Sequence, residues 1–166
     1  GHVGIGTTTP SAALTVMDEA EEMEEFPPRA MTGYETYMEG HGVFKASASS
    51  EYTTTGNGSA YSAFDKDEEE WTGGSGTFSS GALAGSGLTT ITNGIGAGPW
   101  VQLELPYKIL LQRWAIQARP VLQSRHLKSA ILVGSNDGNT WDTIQTVTNQ
   151  ISQTTFQYRY YDVLGN

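Results

Sequence analysis

The run Ala130-Ile131-Leu132-Val133-Gly134-Ser135-Asn136-Asp137-Gly138-Asn139-Thr140-Trp141 decides the fold class. Its first four residues are apolar on both faces, as the central strand of a sheet is. Residues 135–140 read as a turn, and the Asp137-Gly138 pair within it favours a hairpin. Working outward, Val101, Leu103 and Leu105 alternate with Gln102 and Glu104, the pattern of a strand with one face on a core. Trp114, Ile116 and Ala118 alternate in the same way against Arg113, Gln117 and Arg119. Hairpins of this kind around one core predict an all-β sandwich.

Composition agrees. A chain of 166 residues holds one domain with a proper core plus a short appendage. Twenty Gly, abundant Ser and Thr and only 16% charged residues describe short strands and turns rather than helices. The net charge of −9 excludes the Lys/Arg footprint that a polyanion needs, so nucleic acid is not an expected partner. Zero Cys excludes a disulfide framework and thiolate metal sites. With no apolar run near the length of a membrane-spanning helix and no basic-then-apolar leader, neither a membrane span nor a signal peptide is expected.

The first residues read Val3-Gly4-Ile5-Gly6-Thr7-Thr8-Thr9-Pro10, then Ala13-Leu14-Thr15-Val16, a Gly/Thr turn followed by a period-2 strand. So short a segment needs neighbouring strands, from its own domain or from identical chains. It resembles an element that recurs near the end of the shaft in phage tail fibres and related trimeric adhesins. Residues 17–28 follow as an acidic linker, Met17-Asp18-Glu19-Ala20-Glu21-Glu22-Met23-Glu24-Glu25 closed by Phe26-Pro27-Pro28. That run is either a solvated spacer or a short surface helix, and the Pro pair stops it. The expected organisation is therefore a fibre-shaft-like strand segment over 1–16, the linker over 17–28, and a β-sandwich over 29–166.

Four strings carry a second resemblance: Ala46-Ser47-Ala48-Ser49-Ser50-Glu51; Ala63-Phe64-Asp65-Lys66-Asp67 with Trp71-Thr72; Pro99-Trp100-Val101-Gln102-Leu103-Glu104-Leu105; and Gly134 through Trp141. In order and spacing they resemble the discoidin or coagulation-factor C-type family of galactose-binding-like domains, and Ile116-Gln117-Ala118-Arg119 is similar to a further family strand. The resemblance implies a discoidin-like jelly-roll β-sandwich that binds sugars, lipid head groups or proteins through loops at one end and often holds one structural calcium. The acidic turn departs from the family's Asp-Gly-Asn or Asp-Gly-Asp pattern by carrying Lys66. The Tyr158-Arg159-Tyr160-Tyr161 strand also arrives early, which implies a shortened loop or a missing last strand that would leave a groove.

Candidate site residues follow from chemistry and resemblance together. Calcium takes six to eight oxygens from carboxylates and turn carbonyls, which Asp65, Asp67, Glu68 and Glu70 could supply; the alternative is a solvated acidic turn. Sugar recognition needs aromatic platforms and polar forks displayed on loops. By the family's habit the binding end gathers the loops 52–61, 73–98 and 120–126, and the candidates are Tyr52, Tyr61, Phe78, Arg119, Arg125 and His126. Each has an ordinary role open to it as well: Arg119 pairing a buried carboxylate, His126 as a plain loop residue. Trp71, Trp100, Trp114 and Trp141 read as core or core-edge residues, and residues 73–98 read as a Gly-rich loop insertion. Asn57-Gly58-Ser59 is a glycosylation sequon in an exposed loop.

Catalysis finds no motif. Three His at positions 2, 41 and 126 form no metal-spaced pair, there is no Gly-x-Ser-x-Gly elbow, and Gly4-Ile5-Gly6 lacks a following helix. The expectation is a non-catalytic carbohydrate-binding domain of a viral or extracellular fibre protein, displayed at the virion or cell surface. Its partner would be a glycan or glycoconjugate and its state a homo-oligomer, trimer or filament, with avidity from the shaft. The alternative is a structural filament subunit in which the Val3–Val16 segment inserts into a groove of the next copy.

Overall fold

The computed structural model describes residues 3–5, 14–16, 23–75, 77–79, 82–83, 89–91, 96–117, 127–150 and 157–163. Thirteen strands occur among them: β1 (Val3–Ile5), β2 (Leu14–Val16), β3 (Glu35–Met38), β4 (Gly42–Ala48), β5 (Phe78–Ser79), β6 (Ala82–Leu83), β7 (Thr89–Ile91), β8 (Gly96–Gly98), β9 (Val101–Glu104), β10 (Arg113–Gln117), β11 (Ala130–Gly134), β12 (Asp142–Val147) and β13 (Tyr158–Asp162). The described chain is mostly β, with one 3-10 turn at Ala60–Ala63 and no α-helix. Pairing yields one three-stranded sheet, β3-β4-β9, and five two-stranded ones. All are antiparallel except β1-β2. Two continuous facing sheets of the kind that define a jelly roll are not among the described pairings.

The three-stranded sheet is built on period-2 alternation. In β4 the buried residues Phe44 and Ala46 alternate with exposed Val43, Lys45 and Ser47. Register places Thr36 opposite Phe44, Leu103 opposite Ala46 and Val101 opposite Ala48, so the apolar side chains of all three strands share one face. Against that face lie Met31, Met38 and Ala60, with Phe26, Tyr61, Phe64 and Leu105 around them. The outer face carries the exposed Tyr37 and Val43 beside charged residues, and Lys45 Nζ there lies 3.5 Å from Glu104 Oε1 across the β4-β9 pair. Phe26, read as the end of the linker, stacks on Phe44 at 6.4 Å between centroids, and Pro27 beside it is buried. Glu24 and Tyr107 flank it through His41: Nε2 is 3.5 Å from Glu24 Oε1 and Nδ1 is 2.6 Å from the Tyr107 hydroxyl.

The C-terminal strands form two further antiparallel pairs, β10-β13 and β11-β12. Trp114 and Tyr161 are cross-strand partners, their rings stacked with centroids 4.5 Å apart. Gln145 of β12 ties the pairs together: its Oε1 accepts from Trp114 Nε1 at 2.6 Å and its Nε2 donates to the Asp162 carbonyl at 3.1 Å. Gln150 Oε1 accepts from Arg159 at 2.6 Å and from the Tyr161 hydroxyl at 3.0 Å.

The hairpin expected at Asp137-Gly138 forms, joining β11 to β12. Its connection is a longer loop organised by a side chain. Asp137 Oδ1 accepts the backbone N–H groups of Asn139 (2.8 Å) and Thr140 (2.7 Å), and Gly138 takes φ +72°. Among the described residues β11 pairs with β12, and Ile131, within the run expected as a central strand, is 49% exposed. An unbroken apolar run carries no periodicity with which to announce its solvent face. Residues 73–98, expected as a loop, carry two short antiparallel pairs, β5-β6 and β7-β8. The four tryptophans are each partly buried.

Candidate functional site

The loop between β4 and β5 carries most of the candidate site residues that are described, and hydrogen bonds fix its shape. Gly56 O accepts from the Ser59 backbone N–H (3.0 Å), Ser59 Oγ (2.7 Å) and Ser62 Oγ (2.9 Å), closing the 3-10 turn onto the sheet. Ser59 and Ser62 are buried, so these bonds satisfy hydroxyls that would otherwise be costly to desolvate. The sequon at Asn57 therefore places Ser59 in the interior rather than on the loop surface. Gly58, at φ +106°, bridges to Trp71, and an added Cβ there would lie 3.0 Å from Thr53 Oγ1.

Glu51 joins this loop to Tyr34, the residue before β3. Its Oε1 accepts the Ala60 backbone N–H at 2.5 Å and its Oε2 accepts the Tyr34 hydroxyl at 2.8 Å. The same hydroxyl lies 3.2 Å from the Thr54 carbonyl. Desolvation first, then the hydrogen bond and negative charge of Glu51, pushes the Tyr34 phenol up to about 12. Tyr61 packs edge-on against Tyr34 at 5.3 Å, and its hydroxyl accepts the Gly56 N–H at 2.6 Å.

The acidic turn is organised by its own backbone. Asp65 Oδ1 accepts the Asp67 N–H (3.0 Å) and Asp67 Oδ1 accepts the Glu68 N–H (2.7 Å). Lys66 adopts φ +58°, the left-handed region that glycine favours. Its Nζ reaches away to Glu25 Oε1 at 2.8 Å. Burial raises the Asp65 carboxyl; the Asp67 N–H opposes the rise, and the charges of Glu69 and Asp67 add to it. Glu70 Oε1 accepts from Thr72 Oγ1 at 3.3 Å. Among the described residues no three Asp, Glu or His side chains come together as a group that could hold a metal ion. Asp65, Asp67, Glu68 and Glu70 thus lie along a turn held by its own hydrogen bonds.

Of the sugar-binding candidates, Tyr52 is 65% exposed, on a backbone fixed by its N–H bond to the Thr72 carbonyl at 2.8 Å. Tyr61 shares the loop, but its hydroxyl bond and its packing on Tyr34 give it a structural role. The Phe78 backbone belongs to β5, and its side chain lies outside the described residues, as do Arg119, Arg125 and His126 altogether. Tyr34, which no motif marked, is the residue that sequence reading missed here. The only signal for Glu51 in the sequence is an acidic residue closing a Ser-rich stretch.

No protein-family model, no curated protein and no solved structure matches the chain.

Proposed function

We propose that the chain is a non-catalytic carbohydrate-binding domain of a viral or extracellular fibre protein, folded as a discoidin-like jelly-roll sandwich and acting at a surface as a homo-oligomer. The observation that carries this reading is Tyr52, an aromatic ring 65% exposed on a loop held rigid by Glu51, Tyr34, Tyr61 and the buried Ser59-Ser62 pair. A platform whose position is fixed before the ligand arrives gives up little conformational entropy on binding. The left-handed Lys66 supports the discoidin-like assignment, because this chain keeps the backbone of a glycine turn without the glycine.

The test is a glycan array probed with the purified chain, in calcium and in chelator, alongside the Tyr52→Ala variant. Specific hits that weaken in the variant are expected. A blank array for the wild-type chain in both conditions overturns the reading, and hits lost only in chelator give the acidic turn a cation to hold.

A second reading rests on a different observation. β1 and β2 form a two-stranded parallel pair and, among the described residues, bond to no third strand. Parallel pairs are ordinarily covered on both faces, so residues 1–16 fit a segment completed by other copies in a fibre or filament. Deleting residues 1–16 should then convert an oligomer to a monomer; an unchanged mass in solution rules this reading out.

A further inference from the structure

The outward face of the β10-β13 pair carries a group of side chains that the loop site does not use. On β13, Tyr158 (46% exposed) and Tyr160 (61% exposed) project to one side, while Arg159 and Tyr161 are held on the other by Gln150. The two exposed rings sit side by side, with centroids 6.1 Å apart and planes tilted by 35°. Register sets Arg113 opposite Asp162 and Ala115 opposite Tyr160. Arg113 Nε donates to Asp162 Oδ1 at 2.6 Å, and the guanidinium carbon lies 5.6 Å from the centre of the Tyr160 ring.

From this geometry we infer that Tyr158, Tyr160, Arg113 and Asp162 form a binding platform for a neutral, pyranose-containing glycan. The inference rests on the carbohydrate-binding reading and names the sugar class and a second place where it binds.

The argument runs through each part of the platform. A pyranose presents C–H groups on its ring faces and hydroxyls around its rim, so it needs flat π-surfaces flanked by mixed donors and acceptors. Tyr158 and Tyr160 supply the surfaces, two exposed rings side by side with centroids 6.1 Å apart. Arg113 and Asp162 supply the mixed fork: a bonded guanidinium-carboxylate pair can donate to one hydroxyl oxygen and accept from its neighbour. Ala115 opposite Tyr160 is small, and with the Arg113 guanidinium over it the Tyr160 ring is still 61% exposed. The reverse side of the strands is locked by the Trp114-Tyr161 stack and the Gln145 bonds, so the platform is in place before binding.

Charge selects the class of sugar. Among the described residues the platform's cation, Arg113, is paired with Asp162, and Glu25 and Asp65 are near enough to Tyr158 to help raise its phenol after desolvation has done so, with Lys66 Nζ bound to Glu25 at 2.8 Å. On a chain of net charge −9, a sialylated or uronic-acid ligand would be repelled here, and a neutral one would not.

The test uses the whole chain and an array of galactose-, glucose- and N-acetylglucosamine-terminated oligosaccharides together with their sialylated counterparts. The strongest neutral hit is then titrated into wild type, Tyr158→Ala, Tyr160→Ala, Tyr160→Phe and Tyr52→Ala. Each alanine change on β13 should weaken binding about ten-fold or more, as loss of an anchoring aromatic does, while Tyr160→Phe keeps the ring and most of the affinity. Amide shift mapping on the wild-type chain, which needs no variant to fold, should show perturbation centred on residues 113, 115, 158, 160 and 162. If array hits survive both β13 alanine changes and vanish in Tyr52→Ala, the platform is wrong while the carbohydrate-binding reading stands. A blank array overturns both, binding of sialylated sugars alone overturns the assignment to neutral ones, and concentration-dependent dimerisation lost in Tyr160→Ala without any glycan binding reassigns the face to a second copy of the chain.

Discussion

The Tyr34 hydroxyl donates to Glu51 Oε2 at 2.8 Å, joining the residue before β3 to the loop that presents Tyr52. Tyr34→Phe keeps the ring against Tyr61 and removes only the hydroxyl, so it should cost about 1 kcal/mol, read from the midpoint of urea unfolding. The bond also sets a pH dependence. The folded phenol, pushed up to about 12, lies above the ordinary value of 10.0, so its contribution is fully present below pH 10 and is lost as pH rises through about 12. Tyrosinate absorbance should show one tyrosine titrating near pH 12 that is missing in Tyr34→Phe. If the variant and wild type titrate alike, the phenol is not held by Glu51.

Glu51 also accepts the Ala60 N–H at 2.5 Å, and Ala60 is fully buried. Glu51→Ala leaves that donor without a partner and frees the Tyr34 hydroxyl, which should cost about 2 to 3 kcal/mol. Glu51→Gln retains an acceptor oxygen for Ala60 and should lose about half as much. Hydrogen exchange at the Ala60 amide separates the two: protection should fall sharply in the alanine variant and survive in the glutamine one. Equal losses in both would mean that the charge of Glu51, rather than its geometry, holds the loop.

What could be read in the sequence and what could not divides along physical lines. The alternation of Val101 and Leu103 with Gln102 and Glu104 gave β9 its inward face, and Trp114 with Ile116 gave that of β10, because a half-buried strand must write its environment at period 2. The Asp137-Gly138 hairpin was legible because the turn needs those residue types locally. Phe26 was not, since its partner Phe44 is distant in sequence and the acidic run before it has no periodicity. Lys66 hid a left-handed backbone under a side chain that seldom adopts it, and the glycines in 73–98 gave no strand pattern where β5-β6 and β7-β8 pair. At the candidate site Tyr52 could be named from its residue type and loop. The Tyr34-Glu51 bond that positions it depends on tertiary contact, which spacing does not encode. Tyr158 and Tyr160 read in sequence as part of a strand, and which tyrosines of the run face solvent is decided by the pairing with β10.

Strand alternation predicts a sharp contrast between neighbouring positions of the β3-β4 pair. Phe44 is fully buried at the centre of the core, whereas Tyr37, on the opposite face, is 70% exposed. Phe44→Ala should cost about 3 to 5 kcal/mol through lost burial and an unfilled cavity, and Tyr37→Ala within about 0.5 kcal/mol. Thermal unfolding of the two variants checks this, and comparable losses would show that the face assignment of the sheet is inverted.

Asp137 organises the β11-β12 loop from a single oxygen. The N–H groups of Thr140 and Asn139 hold its carboxylate, with the Ser135 hydroxyl third, and together they bring it down to about 2 from an ordinary 3.8. Because the folded value lies below the unfolded one, the contribution is present above about pH 4 and is lost as pH falls through about 2. Asp137→Asn keeps an oxygen for the two N–H groups but cannot ionise, so its stability should fall less between pH 5 and pH 2 than that of wild type. The other carboxylates titrate in both proteins and cancel in the comparison. Gly138→Ala, at φ +72°, should cost about 1 kcal/mol at every pH, because its strain is steric. Denaturant midpoints of the three proteins across the acid range decide the matter: parallel curves for wild type and Asp137→Asn would remove the carboxylate from the account of the turn and leave the glycine as its only determinant.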